Sequence, residues 1–178
     1  MSRIGRRIAV AGAWSCFFII TVGVSMYMAG ARINISKSIP LGLYWVRSKA
    51  AHIGDYIIFC PPQTDIFKEA KKRGYIQYGF CPGGYGKMMK KILAAKGDSV
   101  KISMDGVSVN GKLLPHTKPL AMDKSGRPLP QLIDKSYFLG QSELLLMTDH
   151  SETSFDARYF GPVDVSKHQN VISPIYIW

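Results

Sequence analysis

The sequence predicts a mainly β protein: a small, coiled antiparallel β domain behind an N-terminal transmembrane helix. Three observations carry this reading. From Ile8 to Ala31 no side chain is charged. Beyond that run, short apolar stretches alternate with Gly, Pro, Asn and Asp, the pattern of strands and turns. The 178-residue chain leaves roughly 145 residues after the run, enough for one domain with a core.

The apolar run is the first element. About 20 apolar residues at 1.5 Å each cross a hydrocarbon core, and Ile, Val, Phe, Trp and Met fill this stretch. Arg3, Arg6 and Arg7 precede it. By the positive-inside rule, residues 1–7 are a cytoplasmic basic N-terminus, 8–31 the inner-membrane span and 32–178 an exported, periplasmic domain. Ala29-Gly30-Ala31 also fits a signal-peptide cleavage site, and cleavage there would release a soluble periplasmic domain. The run is longer than an ordinary signal-peptide core, which favours a retained anchor.

The exported elements follow in order. Gly54-Asp55 opens a short strand, Tyr56-Ile57-Ile58-Phe59. Thr64-Asp65 caps a helix through Lys72, with Ile66, Phe67 and Ala70 on one face and Gly74 as terminator. Lys87 to Ala95 reads as a strand, and alternation puts Lys90 and Lys91 on opposite faces. Val100 to Ser103 alternates. Asp105-Gly106 then turns into Val107-Ser108-Val109, and Asn110-Gly111 turns again. Pro115 to Pro130 holds four prolines and reads as an excursion. Tyr137 to Met147 reads as one long strand. Val171 to Trp178 reads as a final one, with Pro174 at a bend or an edge.

Cys16 lies in the apolar run, and Cys60 and Cys81 lie in the exported part, each followed by proline. An exported domain preserves disulfides, so the two form one bridge or stand as free thiols. A bridge would add about 3 kcal/mol in the chain-entropy treatment.

The net charge is +11. Lys68, Lys71, Lys72, Arg73, Lys87, Lys90, Lys91, Lys96 and Lys101 make the middle of the chain basic. Such a surface suits anionic lipid, nucleic acid or plain solvation. No zinc-finger, helix-turn-helix or aromatic-interleaved basic motif is present, so direct nucleic-acid contact is not expected. His52, His116, His150 and His168 lack metal-ligand spacing. Gly83-Gly84-Tyr85-Gly86-Lys87 resembles a phosphate loop, but Met88 stands where Ser or Thr is required, so it reads as a turn. No cofactor or metal is expected.

Two segments carry candidate chemistry. Asn34 to Tyr44 places Ser38 in a Pro/Gly turn, and Lys90 opens an apolar stretch ending in Gly97-Asp98. A serine hydroxyl is a weak nucleophile until a base takes its proton. Lysine can be that base only when neutral; its ordinary pKa is about 10.4, and burial lowers it by up to roughly 3–5 units. Met88, Met89, Ile92, Leu93 and Ala94 offer apolar surroundings. Taken singly, Ser38 is a turn serine, Lys90 a solvated lysine, Ser154 a loop cap and Asp156–Arg158 an ordinary ion pair.

Together these segments resemble the type I signal peptidase family. That family has a serine box of Ser-x-Ser then Pro, a lysine box ending Gly-Asp, and a late Gly-Asp-Asn-x-x-x-Ser-x-Asp-x-Arg box. Lys90 to Asp98 matches the second. Ser154, Asp156 and Arg158 match the third, with Thr148-Asp149-His150 at its head, and the Asp-Gly and Asn-Gly hairpins after Asp98 match too. Pro40 comes two residues after Ser38, where general signal peptidases have it at three. Asn-x-Ser/Thr-x-Ser-x-Pro-x-Gly-x-Tyr is instead similar to the TraF-type, conjugative-transfer branch. Phe59-Cys60-Pro61-Pro62-Gln63 and Gly79 to Gly86 resemble the TraF proteins of IncP-type plasmids.

The resemblance implies a signal-peptidase-type β fold and a membrane-anchored serine endopeptidase with a periplasmic site. It implies a pilin precursor as substrate, trimmed and joined into a circle, with other conjugation-apparatus proteins as further candidate partners. It makes Ser38 the nucleophile and Lys90 the general base. Ser36 and the Ser38 amide become oxyanion donors. Ser154 and Asp156 would orient Lys90, and Arg158 would hold their loop through Asp156. A general signal peptidase acting on exported preproteins and a non-enzymatic secretion component remain the alternatives at this level.

Overall fold

The computed structural model describes residues 2–165 and 169–178; His168 lies outside the described residues. The domain is built from antiparallel strands arranged as two sheets, preceded by a long apolar helix, α1, Arg3–Ala29. Its apolar side chains are exposed, Phe17 and Ile19 among them, and α1 is long and apolar enough to cross a membrane. The helix takes in the arginines at its start and stops at Ala29. Gly30, at φ 114°, turns the chain, and its N–H donates to the Met26 and Tyr27 carbonyls. Ala31, read as the end of the span, already opens β1.

Among the described residues the first sheet holds seven strands. They are β1 (Ala31–Asn34), β2 (Gly42–Arg47), β3 (Tyr56–Phe59), β5 (Met88–Ala94), β10 (Glu143–Met147), β11 (Val163–Asp164) and β12 (Gln169–Ile177). Their spatial order is β1-β2-β12-β3-β5-β10-β11. The second sheet orders β8 (Lys112–Leu113), β7 (Gly106–Val109), β6 (Ser99–Ser103) and β9 (Lys135–Phe138). Among the described residues, a short strand, β4 (Tyr78–Cys81), two small helices, α2 (Asp65–Lys72) and α3 (Ala157–Phe160), and a single 3-10 turn at Pro82–Gly84 complete the fold. The helix expected after Thr64 is α2, and it buries Phe67 and Ala70.

The long strand expected from Tyr137 to Met147 is two strands in different sheets. Leu139 is buried, its N–H donates to the Asp98 carbonyl, and Gly140 N–H donates to the Glu143 carboxylate. The chain crosses between sheets there, so one apolar run serves two ladders. The final strand starts at Gln169 and lies between β2 and β3. Pro174 sits past Ile172, the last residue paired with β3, and the ladder to β2 shifts register between Pro174 and Tyr176. The missing N–H therefore falls where one neighbour has ended, at a bulge.

β5 alternates as expected: Met88, Lys90, Ile92 and Ala94 are buried, and Lys91 is half-buried. Ile92 joins a cluster with Ile57, Phe59, Leu146 and Val171. Ile39 and Tyr44 are fully buried with Ile58 and Ile172. Each such side chain contributes about 1.5–3 kcal/mol when withdrawn from water.

Cys60 and Cys81 are bonded, with their Cα atoms 5.5 Å apart. The bond ties β4 to the end of β3. Both thiols should therefore resist alkylation in unreduced protein. Replacing Cys60 and Cys81 together by serine should lower the unfolding free energy by about 2–4 kcal/mol in urea titration.

Candidate active site

Three chain segments converge on Lys90. The β5–β3 ladder sets Lys90 opposite Ile57, and the β5–β10 ladder sets Lys91 opposite Met147. The chain leaving β10 at Thr148 is thus delivered beside Lys90. Ser38 arrives from the β1–β2 loop, pinned by its buried neighbour Ile39. Lys90 Nζ donates to Ser38 Oγ at 2.8 Å and to Ser154 Oγ at 2.7 Å. Ser154 Oγ lies 3.4 Å from Ser38 Oγ.

Lys90 is 2% exposed. Burial pushes its ammonium down from 10.5 to about 8; the Asp156 charge pulls it up and the Arg158 charge pushes it further down. Desolvation dominates because the neutral amine loses less on leaving water than the cation does. The amine is therefore substantially neutral at mildly alkaline pH. Its lone pair can then accept the Ser38 proton across a distance already that of a hydrogen bond.

Asp156 and Arg158 form a wholly buried pair. Arg158 Nε and Nη2 donate to the Asp156 carboxylate at 2.9 and 2.8 Å. Asp156 also accepts from the Thr148 N–H at 3.3 Å and the Arg158 N–H at 3.2 Å. The guanidinium reaches on to the carbonyls of Ser151 at 2.7 Å, Glu152 at 3.0 Å and His116 at 3.1 Å. Asp156 therefore acts on Lys90 through its field, while Ser154 touches it. Ser154 makes the direct contact with Lys90, and Asp156 and Arg158 hold the loop that carries it.

Ser36 is placed on the same loop as Ser38, but its hydroxyl donates to Asn34 Oδ1 at 2.9 Å. Sequence reasoning missed Asn34 and Thr148 as site residues. Both are buried. The signal for Asn34 was its place two residues before a serine, the spacing of an Asx turn.

A cavity of about 320 Å³ opens beside Ser38 and Lys90, lined by these two with Ile33, Ser36, Tyr75, Met88 and Phe155 among others. Among the described residues no group of three or more His, Cys, Asp or Glu side chains could hold a metal ion.

Removing one partner of the buried pair leaves a charge stranded in the interior, at a cost of about 3–5 kcal/mol. Arg158→Ala should be destabilised by that amount in urea unfolding, and Asp156→Ala similarly. The double variant should lose much less than the sum.

Comparison with known proteins gives the family. The family described as signal peptidase, peptidase S26, matches residues 2–178. A plasmid transfer protein TraF from Escherichia coli is 53% identical over 178 residues, covering the whole of both chains. A second Escherichia coli plasmid transfer protein TraF is 57% identical over 152 residues, 85% of this chain and 86% of its own. A conjugal transfer protein TraF from Agrobacterium tumefaciens (strain 15955) is 32% identical over 161 residues, 89% of each chain. A match along almost the entire length, with a mainly antiparallel β fold, leaves one conclusion: the chain belongs to the signal peptidase S26 family and groups within it with the TraF-type proteins.

Proposed function

We propose that this protein is a membrane-anchored serine endopeptidase of conjugative transfer that cuts a pilin precursor and joins its ends. The observation that carries the reading is the buried Lys90 amine seated between Ser38 and Ser154. The names of the relatives, plasmid transfer and conjugal transfer proteins, point to the biological setting. The exposed apolar helix supports an inner-membrane anchor with the catalytic domain in the periplasm, where the Cys60–Cys81 bond would persist.

In the proposed reaction, neutral Lys90 takes the Ser38 proton as Oγ attacks the scissile carbonyl. The Ser38 N–H and a reoriented Ser36 hydroxyl stabilise the oxyanion. Protonated Lys90 then gives its proton to the departing amine, leaving an ester on Ser38. If water takes the acyl group the product is linear. If the substrate's own N-terminal amine takes it, the product is a ring. Ends tethered in one membrane reach effective concentrations in the millimolar range, far below that of water, so the loaded site must exclude water.

Ser38→Ala and Lys90→Ala should each abolish processing of the pilin precursor in folded protein, and the double variant should be little worse. Lys90→Arg should be equally inactive, because arginine cannot become a neutral base. Persistent processing in Ser38→Ala would refute the assignment. Because the active form is deprotonated Lys90, kcat/KM in wild type should rise with pH and level off above about 8. A profile flat between pH 6 and 9 would speak against Lys90 as the base.

The mature pilin should weigh about 18 Da less than the linear peptide of the same residues and lack a free α-amine, since aminolysis of the ester adds no water. Mass spectrometry finding only the linear form would reassign the protein to hydrolytic processing.

A further inference from the structure

Ser38 lies on a loop with no strand of its own to fix it. What closes this loop is one side chain at its start. Asn34 ends β1, paired with Gly42, and is 4% exposed. The two hydrogens of its Nδ2 are shared among the carbonyls of Ser36 at 2.7 Å, Ile39 at 2.8 Å and Pro40 at 3.0 Å. Its Oδ1 accepts from the Ser36 N–H at 3.1 Å and the Ser36 hydroxyl at 2.9 Å. These acceptors lie on both sides of Ser38. Tyr44 Oη also donates to the Pro40 carbonyl, at 2.7 Å, so the far end of the loop is held twice.

We infer that Asn34 is the positioning residue of the nucleophile: it clasps the segment from Ser36 to Pro40 and sets the height of Ser38 Oγ over Lys90. This rests on the Ser38–Lys90 reading above and adds a residue to it. A primary amide suits the task because it supplies donors and an acceptor from one planar group. The Ile39 carbonyl, whose bond to Asn34 is buried, needs such a donor, since an unmatched one is costly. The Asn34 amide spends its hydrogen bonds on its own loop, at Ser36, Ile39 and Pro40. Its effect reaches the chemistry through Ser38.

The clasp also occupies Ser36. A hydroxyl has one hydrogen, and here Asn34 Oδ1 takes it. Ser36 can serve an oxyanion only after rotating away from Asn34, whereas the Ser38 N–H is not engaged by that contact.

The test compares Asn34→Ala, Asn34→Asp and Ser38→Ala with wild type in single-turnover processing of the pilin precursor by the full chain in detergent. Saturating rate and half-saturating concentration are read separately. Asn34→Asp keeps an acceptor for Ser36 but sets a carboxylate against the three carbonyls. A misplacement of about 1 Å at a reacting group can cost on the order of a hundredfold in rate. Both Asn34 variants should lose about 10- to 100-fold in saturating rate, with half-saturation within about threefold of wild type. The inflection near pH 8 should stay, because the burial of Lys90 is untouched. Wild-type saturating rates in both, with Ser38→Ala inactive, would overturn the role of Asn34 alone. Activity in Ser38→Ala would overturn the dyad and this role with it. Variants that fail to fold, or that lose affinity and rate together, would make Asn34 a residue of general stability and overturn the proposal as well.

Discussion

The burial of one amine governs this site. Lowering Lys90 from 10.5 to about 8 corresponds to about 3 kcal/mol at 1.36 kcal/mol per pKa unit. At neutral pH both the folded and the unfolded chain hold the proton, so the fold carries this penalty in full. Between pH 8 and 10.5 the unfolded chain still holds the proton while the folded one has released it. Stability from this group therefore rises with pH across that window. A domain with a net stability of about 5–15 kcal/mol can tolerate such a cost where the core is dense, and Lys90 sits at such a place. β5 has β3 on one side and β10 on the other, with Ile57 opposite Lys90 in the ladder.

The Asp156–Arg158 pair answers a different need. Buried ion pairs add little net stability compared with apolar packing, so stability alone does not explain it. Its use is geometric. The planar guanidinium presents several fixed donors, and here they gather the Ser151 and Glu152 carbonyls while Asp156 holds the Thr148 N–H. The loop from Thr148 to Ser154 is thereby wound around one cation, and Ser154 emerges against Lys90. The same two charges act on Lys90 with opposite sign, leaving desolvation in control.

Much of this was legible in the sequence because some signals are local. The alternation in Met88 to Ala94 gave β5 and the opposite faces of Lys90 and Lys91. Helix α2 followed from its cap position and apolar face. The strands β1 and β2 were not legible, because Asn34 to Gly42 is dominated by turn residues and the partner strand, β12, lies at the other end of the chain. The break at Leu139–Gly140 was hidden because both flanking runs are apolar, and only the second sheet distinguishes them. Asn34 was missed for a related reason. Its importance lies in where its amide points, and a sequence records only that an amide is present.

The excursion from Pro115 to Pro130, read as a plain loop, has a place in this scheme. Tyr75 and Phe155 wall the cavity over Ser38, and their rings lie 5.2 Å apart. Behind them, the Tyr75 hydroxyl donates to Asp123, and Arg127 Nε donates to the same carboxylate at 2.7 Å. These contacts hold the Asp123 carboxyl well below the usual carboxylate range. Phe155 stacks on Tyr159, whose hydroxyl accepts the Leu120 N–H at 3.1 Å. Arg73 ties the other side by donating to the Pro128 carbonyl. Both aromatic walls are thus braced by the same excursion, Tyr75 directly and Phe155 through Tyr159. A wall held by hydrogen bonds and ring contacts of this kind keeps the shape of the cavity beside Ser38. The prolines fit the task, since a segment with fixed φ angles loses less entropy on being ordered.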